Sequence, residues 1–197
     1  MPIGTASLRP DWGSIPLTER AKAHFNEYFL PRYQQILDAI DKTALVVLIW
    51  GPGSSAGKLY GKRCQIRDEL RLRDITAIFS EEVVEKCSSQ YSLSIQELAQ
   101  AKLADLVIAI QCSVGSTAEV HDFGRFSNTI APKLLVFVDD HAVESYSYHA
   151  LLNPMNQRLN NVITYRYPDD IDECHLLENV LKRVRLVREA KWYREHD

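Results

Sequence analysis

Two hydrophobic periods alternate along the chain. Residues 44–50, ALVVLIW, form a continuous apolar run rich in β-branched side chains, the pattern of a strand buried on both faces. Shorter runs at 74–79 (DITAIF), 105–110 (DLVIAI), 133–140 (KLLVFVDD) and 160–165 (NNVITY) repeat it. Between them, apolar residues at helical spacing predict helices over 59–73, 80–87, 94–104 and 116–128, with a long closing helix over 170–196. Ser94 and Glu97 stand in capping-box register at the head of one of these. Strands alternating with helices predict an α/β three-layer sandwich of about five parallel strands.

The first 42 residues follow a different pattern. Pro2, Gly4, Pro10, Gly13 and Pro16 predict an irregular lead. Phe25, Phe29, Tyr33, Ile36, Leu37 and Ile40 then recur at helical spacing, with Pro31 expected to split or kink the helix. The expected organisation is a helical preface over 1–42, packing on the domain or on a second subunit, and an α/β domain over 43–197.

Composition narrows the class. A chain of 197 residues with 46% hydrophobic and 25% charged residues suits one globular domain with an appendage. A net charge of −3 disfavours binding nucleic acid through bulk charge. A basic face of Lys182, Arg183, Arg185, Arg188, Lys191 and Arg194 on the closing helix keeps nucleic acid in view without favouring it. Cys64, Cys87, Cys112 and Cys174 are widely spaced and read as free thiols of a reducing cytoplasm. Neither these nor the histidines show metal-ligand spacing, so no metal or cofactor is expected. No apolar run reaches the roughly 20 residues of a membrane span, and no signal-peptide pattern opens the chain, so the expected location is cytoplasmic.

In a parallel α/β sheet, ligands bind beyond the carboxyl ends of the strands. Two loops there carry unusual chemistry. The first, GPGSSAGK at 51–58, departs from the nucleotide-triphosphate loop, because Pro52 stands where its first glycine belongs and Leu59 where its hydroxyl belongs. Gly51, Pro52, Gly53, Ser54, Ser55 and Lys58 instead suit a sugar hydroxyl or a monophosphate at a helix N-terminus. The competing reading of Lys58, Lys62 and Arg63 is a solvated helix, with Lys62 or Arg63 paired to Asp68 or Glu69. The second loop, QCSVGSTAE at 111–119, brings Ser113, Gly115, Ser116 and Thr117 up to Glu119. Read as local structure, Ser116 and Glu119 form a capping box in the first helical turn.

The stretch DLVIAI…GSTAEVHDFG resembles the nucleoside 2-deoxyribosyltransferases and their nucleotide N-glycosidase relatives, over about residues 44–165. The resemblance implies a Rossmann-like sheet, cleavage of the bond between base and sugar, and a homodimer or higher homo-oligomer with shared sites. It places the nucleophile for C1′ at Glu119 and puts the cradling turns at Gly51–Gly53 and Ser113–Ser116. Where the family carries Asp-Gly this chain has Gln111-Cys112, which removes the usual acid for the leaving base. Glu81, at the carboxyl end of the second strand, is the other candidate catalytic carboxylate, with Glu82 beside it. Asp105 opens its strand and belongs at the opposite edge as a structural cap. Because some related nucleosidases are toxic effectors of antiphage defence, a nucleotide or NAD substrate falls within the expected range. The alternative is a non-catalytic nucleotide-binding sensor that signals to a partner protein.

Overall fold

The computed structural model describes residues 18–84, 90–111, 114–126, 128–173 and 175–197, of which the side chains at 114–116 and 118 are excepted. The chain separates into two compact units, Met1–Ile40 and Asp41–Asp197.

In the first unit, α1 (Glu19–His24) runs through a π-helical turn (Phe25–Phe29) into α2 (Leu30–Asp41). Thr18 caps it, its hydroxyl accepting from the Ala21 amide at 3.3 Å. Pro31 does not split the helix as expected. Its ring would collide with the carbonyl four residues back in a regular helix, and the π turn immediately before it widens the backbone there.

The second unit is the α/β sandwich. Its strands are β1 (Val46–Trp50), β2 (Thr76–Phe79), β3 (Leu106–Gln111), β4 (Leu134–Asp139) and β5 (Val162–Tyr165). All are parallel, in the order β2-β1-β3-β4-β5. Each lies within its predicted apolar run except β3, which continues one residue further to Gln111. The intervening helices are α3 (Lys58–Arg71), α4 (Ser80–Val84), α5 (Leu93–Leu103), α6 (Val114–Gly124), α7 (Asn153–Leu159), α8 (Asp169–Asp172) and α9 (His175–His196).

Two cores flank the sheet. On one face, Val47, Ile49, Ile108 and Ile110 pack with Ile66 and Leu70 of α3 and Leu176, Val180 and Val184 of α9. On the other, Leu48, Trp50, Val107 and Ala109 pack with Ala101 of α5, Val120 and Phe123 of α6 and Met155 of α7. Alternate residues of one strand enter opposite cores, which is why the strands read as unbroken apolar runs. The order reverses between β1 and β3, and in open parallel sheets ligands bind beyond the carboxyl ends at such a switch point.

Asn161 locks the start of β5. It is fully buried; its Nδ2 donates to the carbonyls of Ala131 and Leu134, both at 2.9 Å. Asn161→Ala would strand both acceptors, and a loss of about 2–3 kcal/mol is expected in urea titration.

Three sequence expectations are corrected here. Ser94 is not the cap of α5, because Ser92, with extended backbone (φ −60°, ψ 154°), stands at the N-cap and Ser94 lies inside the helix. Ser116 is not the cap of α6, which already begins at Val114, so Glu119 is its sixth residue. The closing helix is two helices, interrupted at Glu173, whose backbone is extended (φ −84°, ψ 171°).

The basic residues of α9 are largely engaged in structure. Arg183 donates to Pro132 O, Arg188 to Arg73 O, and Lys191 to Ala44 O and Asp105 Oδ2. Asp105 Oδ2 also accepts from the Val46 amide at 2.9 Å, a structural contact at the amino edge of the sheet.

Candidate active site

β1 ends in a backbone conformation that residues with a Cβ rarely adopt. Gly51 has φ +156°, and a Cβ there would lie 3.3 Å from Ile110 Cβ and 3.4 Å from Arg63 Cδ. Pro52 and Gly53 follow, then a 3-10 turn over Ser54–Ala56, then Gly57 at φ +54° leading into α3. No side chain caps that helix, so its first-turn amides remain available to an anion.

Arg63 organises this edge. Its side chain is only 2% exposed. Nη2 donates to Ile49 O at 2.7 Å and Nη1 to Pro52 O at 3.2 Å, which ties the glycine loop to the end of β1. The same two nitrogens bind Glu81 Oε1 and Oε2 at 2.7 and 2.8 Å, a bidentate fork. The guanidinium stacks 4.0 Å from the Phe79 ring centroid. The expected pairing of Lys62 or Arg63 with Asp68 or Glu69 is therefore overturned. Asp68 pairs with Arg67 and Glu69 with Arg73, Lys62 donates to Glu173 O, and Lys58 pairs with Asp172 at 2.7 Å.

The carboxylates around Arg63 have diverging proton affinities. Partial burial pushes Glu81 up, but hydrogen bonds from Arg63, the local backbone and Ser80 outweigh it and hold the carboxyl below its usual range. Glu97 of α5 is raised by burial and by the charge of Glu81. Glu119 of α6 is pushed up to about 7, by burial first and then by Glu97, with Glu81 adding and Arg63 opposing. Glu81 thus holds the guanidinium, Glu119 feels its charge, and Glu97 feels the charge of Glu81. Glu82 stands apart, bound by Arg67, Arg71 and the Phe79 amide.

Gln111 ends β3 beside them. It is 8% exposed, and among the described residues its buried Nε2 finds no partner, nor does Trp50 Nε1 on the neighbouring strand. Ser113 lies outside the described residues, as do the side chains of Gly115 and Ser116; Thr117 is half-buried on α6. Among the described residues, Asp139, Asp140 and His141 are close enough together to hold a metal ion; they are half-buried or exposed at the end of β4, and His141 pairs with both aspartates.

Sequence reasoning missed Arg63 as the organiser and Glu97 as a site residue. Both carried a signal. Arg63 shares a helical stripe with Leu59, Ile66 and Leu70, and Glu97 falls in the phase of buried Ala101. A charge in the apolar phase of a helix needs a buried partner.

A family model, the STM3845 retron effector protein, matches residues 61–197. The chain belongs to that family. Retron effectors act in bacterial defence. The match takes in Arg63, Glu81, Glu97 and Glu119, while the glycine loop precedes it. No curated protein matches the chain. No helix among the described residues is long and apolar enough to cross a membrane.

Proposed function

We propose that this retron effector is a nucleoside or nucleotide N-glycosidase in which Glu119 acts on C1′ of the sugar. The observation that carries the reading is the carboxylate group at the switch point. Once Glu119 ionises, above about pH 7, the carboxylates of Glu81, Glu97 and Glu119 outnumber the Arg63 guanidinium that binds Glu81. Breaking the bond between base and sugar builds positive charge on C1′, and such a site stabilises that state more than the neutral substrate.

The roles divide by geometry. Among the described residues no cation pairs with Glu119, so its carboxylate would approach C1′ and trap or stabilise the oxocarbenium-like state. Glu81 is held in the Arg63 fork and serves as a positioning and electrostatic group, a different role from the catalytic one its place in the sequence suggests. Gly51, Pro52, Gly53, Ser54 and Ser55, with the uncapped start of α3, would receive sugar hydroxyls or a phosphate. Lys58, exposed and tied to Asp172, would contribute at the rim. Thr117, half-buried on α6, would add a hydroxyl beside Glu119.

The leaving group follows from the same balance. Gln111 has no proton to give. A base that is already cationic, such as the pyridinium of NAD, needs none: the C1′–N electron pair goes to the ring, which departs neutral. Water then adds to C1′ and loses its proton to a carboxylate or to solvent. A negatively charged site also attracts a cationic ring, so a pyridinium nucleotide is the favoured substrate.

Incubation with nucleosides, their mono- and triphosphates and NAD, followed by chromatography of free base, tests the reading. Multiple turnovers of base release, greatest from NAD, are expected. If one of these compounds binds and is returned intact, the protein is a nucleotide sensor.

A further inference from the structure

The N-terminal helix carries a face whose spacing and charge describe its partner. No residue of α1, the π turn or α2 is buried. Tyr28, Phe29, Tyr33, Ile36 and Leu37 are all exposed large hydrophobics. The stripe Phe25, Phe29, Tyr33, Ile36, Ile40 would span fourteen residues in an ideal heptad seam, but here spans fifteen. The π turn takes up the extra residue, the Leu30 amide bonding back to Phe25 O. Phe25 consequently stacks on Phe29 at 4.8 Å and 17°, and Phe29 lies near-parallel to Tyr33 at 6.0 Å and 10°. The ring contacts thus carry the seam from Phe25 to Tyr33 across Pro31, and α2 continues it to Ile40.

One edge of the seam is basic. Arg20 and His24 line a shallow depression beside Phe25 and Phe29, and His24 and Arg32 line the next beside Tyr33 and Ile36. Glu19 is taken by Lys22 and Asp38 by Gln34. We propose that this face docks an amphipathic helix of a partner protein whose seam is edged by glutamate or aspartate.

A second copy of the chain fits poorly. Antiparallel pairing sets the Arg20–Arg32 edge against itself, and parallel pairing sets Arg32 opposite Leu37; neither supplies an acid. Nucleic acid fits poorly too. The Phe25, Phe29 and Tyr33 rings lie against one another, which leaves few faces for bases, and the second half of the seam is aliphatic.

The test uses the full chain and two synthetic amphipathic helices with identical Leu/Ile seams, one edged with Glu and one with Lys. Fluorescence anisotropy should show the Glu peptide binding at least about tenfold tighter at low salt, with the gap closing as salt rises. The double variant R20E/R32E should invert the preference, and F29D should weaken both peptides at least about tenfold. The proposal is overturned if the Glu peptide does not bind or the preference survives R20E/R32E. It is equally overturned if sedimentation shows a Phe29-dependent dimer, or if a single-stranded oligonucleotide occupies the face and the Glu peptide cannot displace it.

Discussion

Glu119→Gln is expected to abolish base release while making the protein more stable. Loss of a carboxylate that meets the reacting carbon should lower kcat/KM by at least about a thousandfold. The stability change follows from the proton affinity. Glu119 sits at about 7 in the fold against an ordinary 4.5, so the fold prefers its protonated form. Stability from that preference is complete below about pH 4.5 and is lost as pH rises through about 7. Above that, the ionised carboxyl is a liability that Gln removes. A gain of about 1–2 kcal/mol, after allowing for solvent screening, is expected in denaturant titration at pH 8, vanishing near pH 4.5. A helix-capping glutamate would behave in the opposite way, its removal weakening the fold at neutral pH. The activity profile supplies a second check. A Glu119 that works as an anion gives kcat/KM rising with pH and levelling above about 7. A profile that falls through that pH would reassign Glu119 as the proton donor.

The sheet was legible in the sequence because buried parallel strands leave a simple trace. Runs such as ALVVLIW and DLVIAI have no polar face to interrupt them, and the turns between them are marked by glycine and by capping residues. Helix starts were less legible. Ser94–Glu97 and Ser116–Glu119 both match a capping pattern, yet both serines lie inside helices, since S-x-x-E spacing is also one helical turn on a single face. Glu97 instead feels the charge of Glu81, and Glu119 that of both. Glu119 was singled out as a candidate through the resemblance of its surroundings, whereas Arg63 was hidden because its partners come from separate segments. Ile49, Pro52 and Glu81 lie 14, 11 and 18 residues away, and the apolar stripe that holds Arg63 signals its burial but does not name those partners.

Arg63→Met is expected to be the most damaging single change at this edge of the fold. Methionine fills much of the space but leaves the carbonyls of Ile49 and Pro52 without their donor and Glu81 without its fork. Removing one partner of a buried ion pair typically costs about 3–5 kcal/mol, and for a chain of this size that lowers Tm by roughly 10 °C. Arg63→Lys should recover only part of this, because an ammonium cannot reach two carbonyls and both carboxylate oxygens at once. The double variant Arg63→Met with Glu81→Gln should be more stable than additivity predicts, since the second change relieves the uncompensated carboxylate left by the first. Stability alone would leave Arg63 a structural residue; the pH profile shows whether it also sets the chemistry. Arg63 lowers the proton affinity of Glu119 and Glu81 raises it. Arg63→Met should therefore move the ascending limb of kcat/KM to higher pH, and Glu81→Gln should move it to lower pH. Limbs that stay fixed in both variants would show that the Arg63–Glu81 pair holds the loops together without tuning the carboxylate beside it.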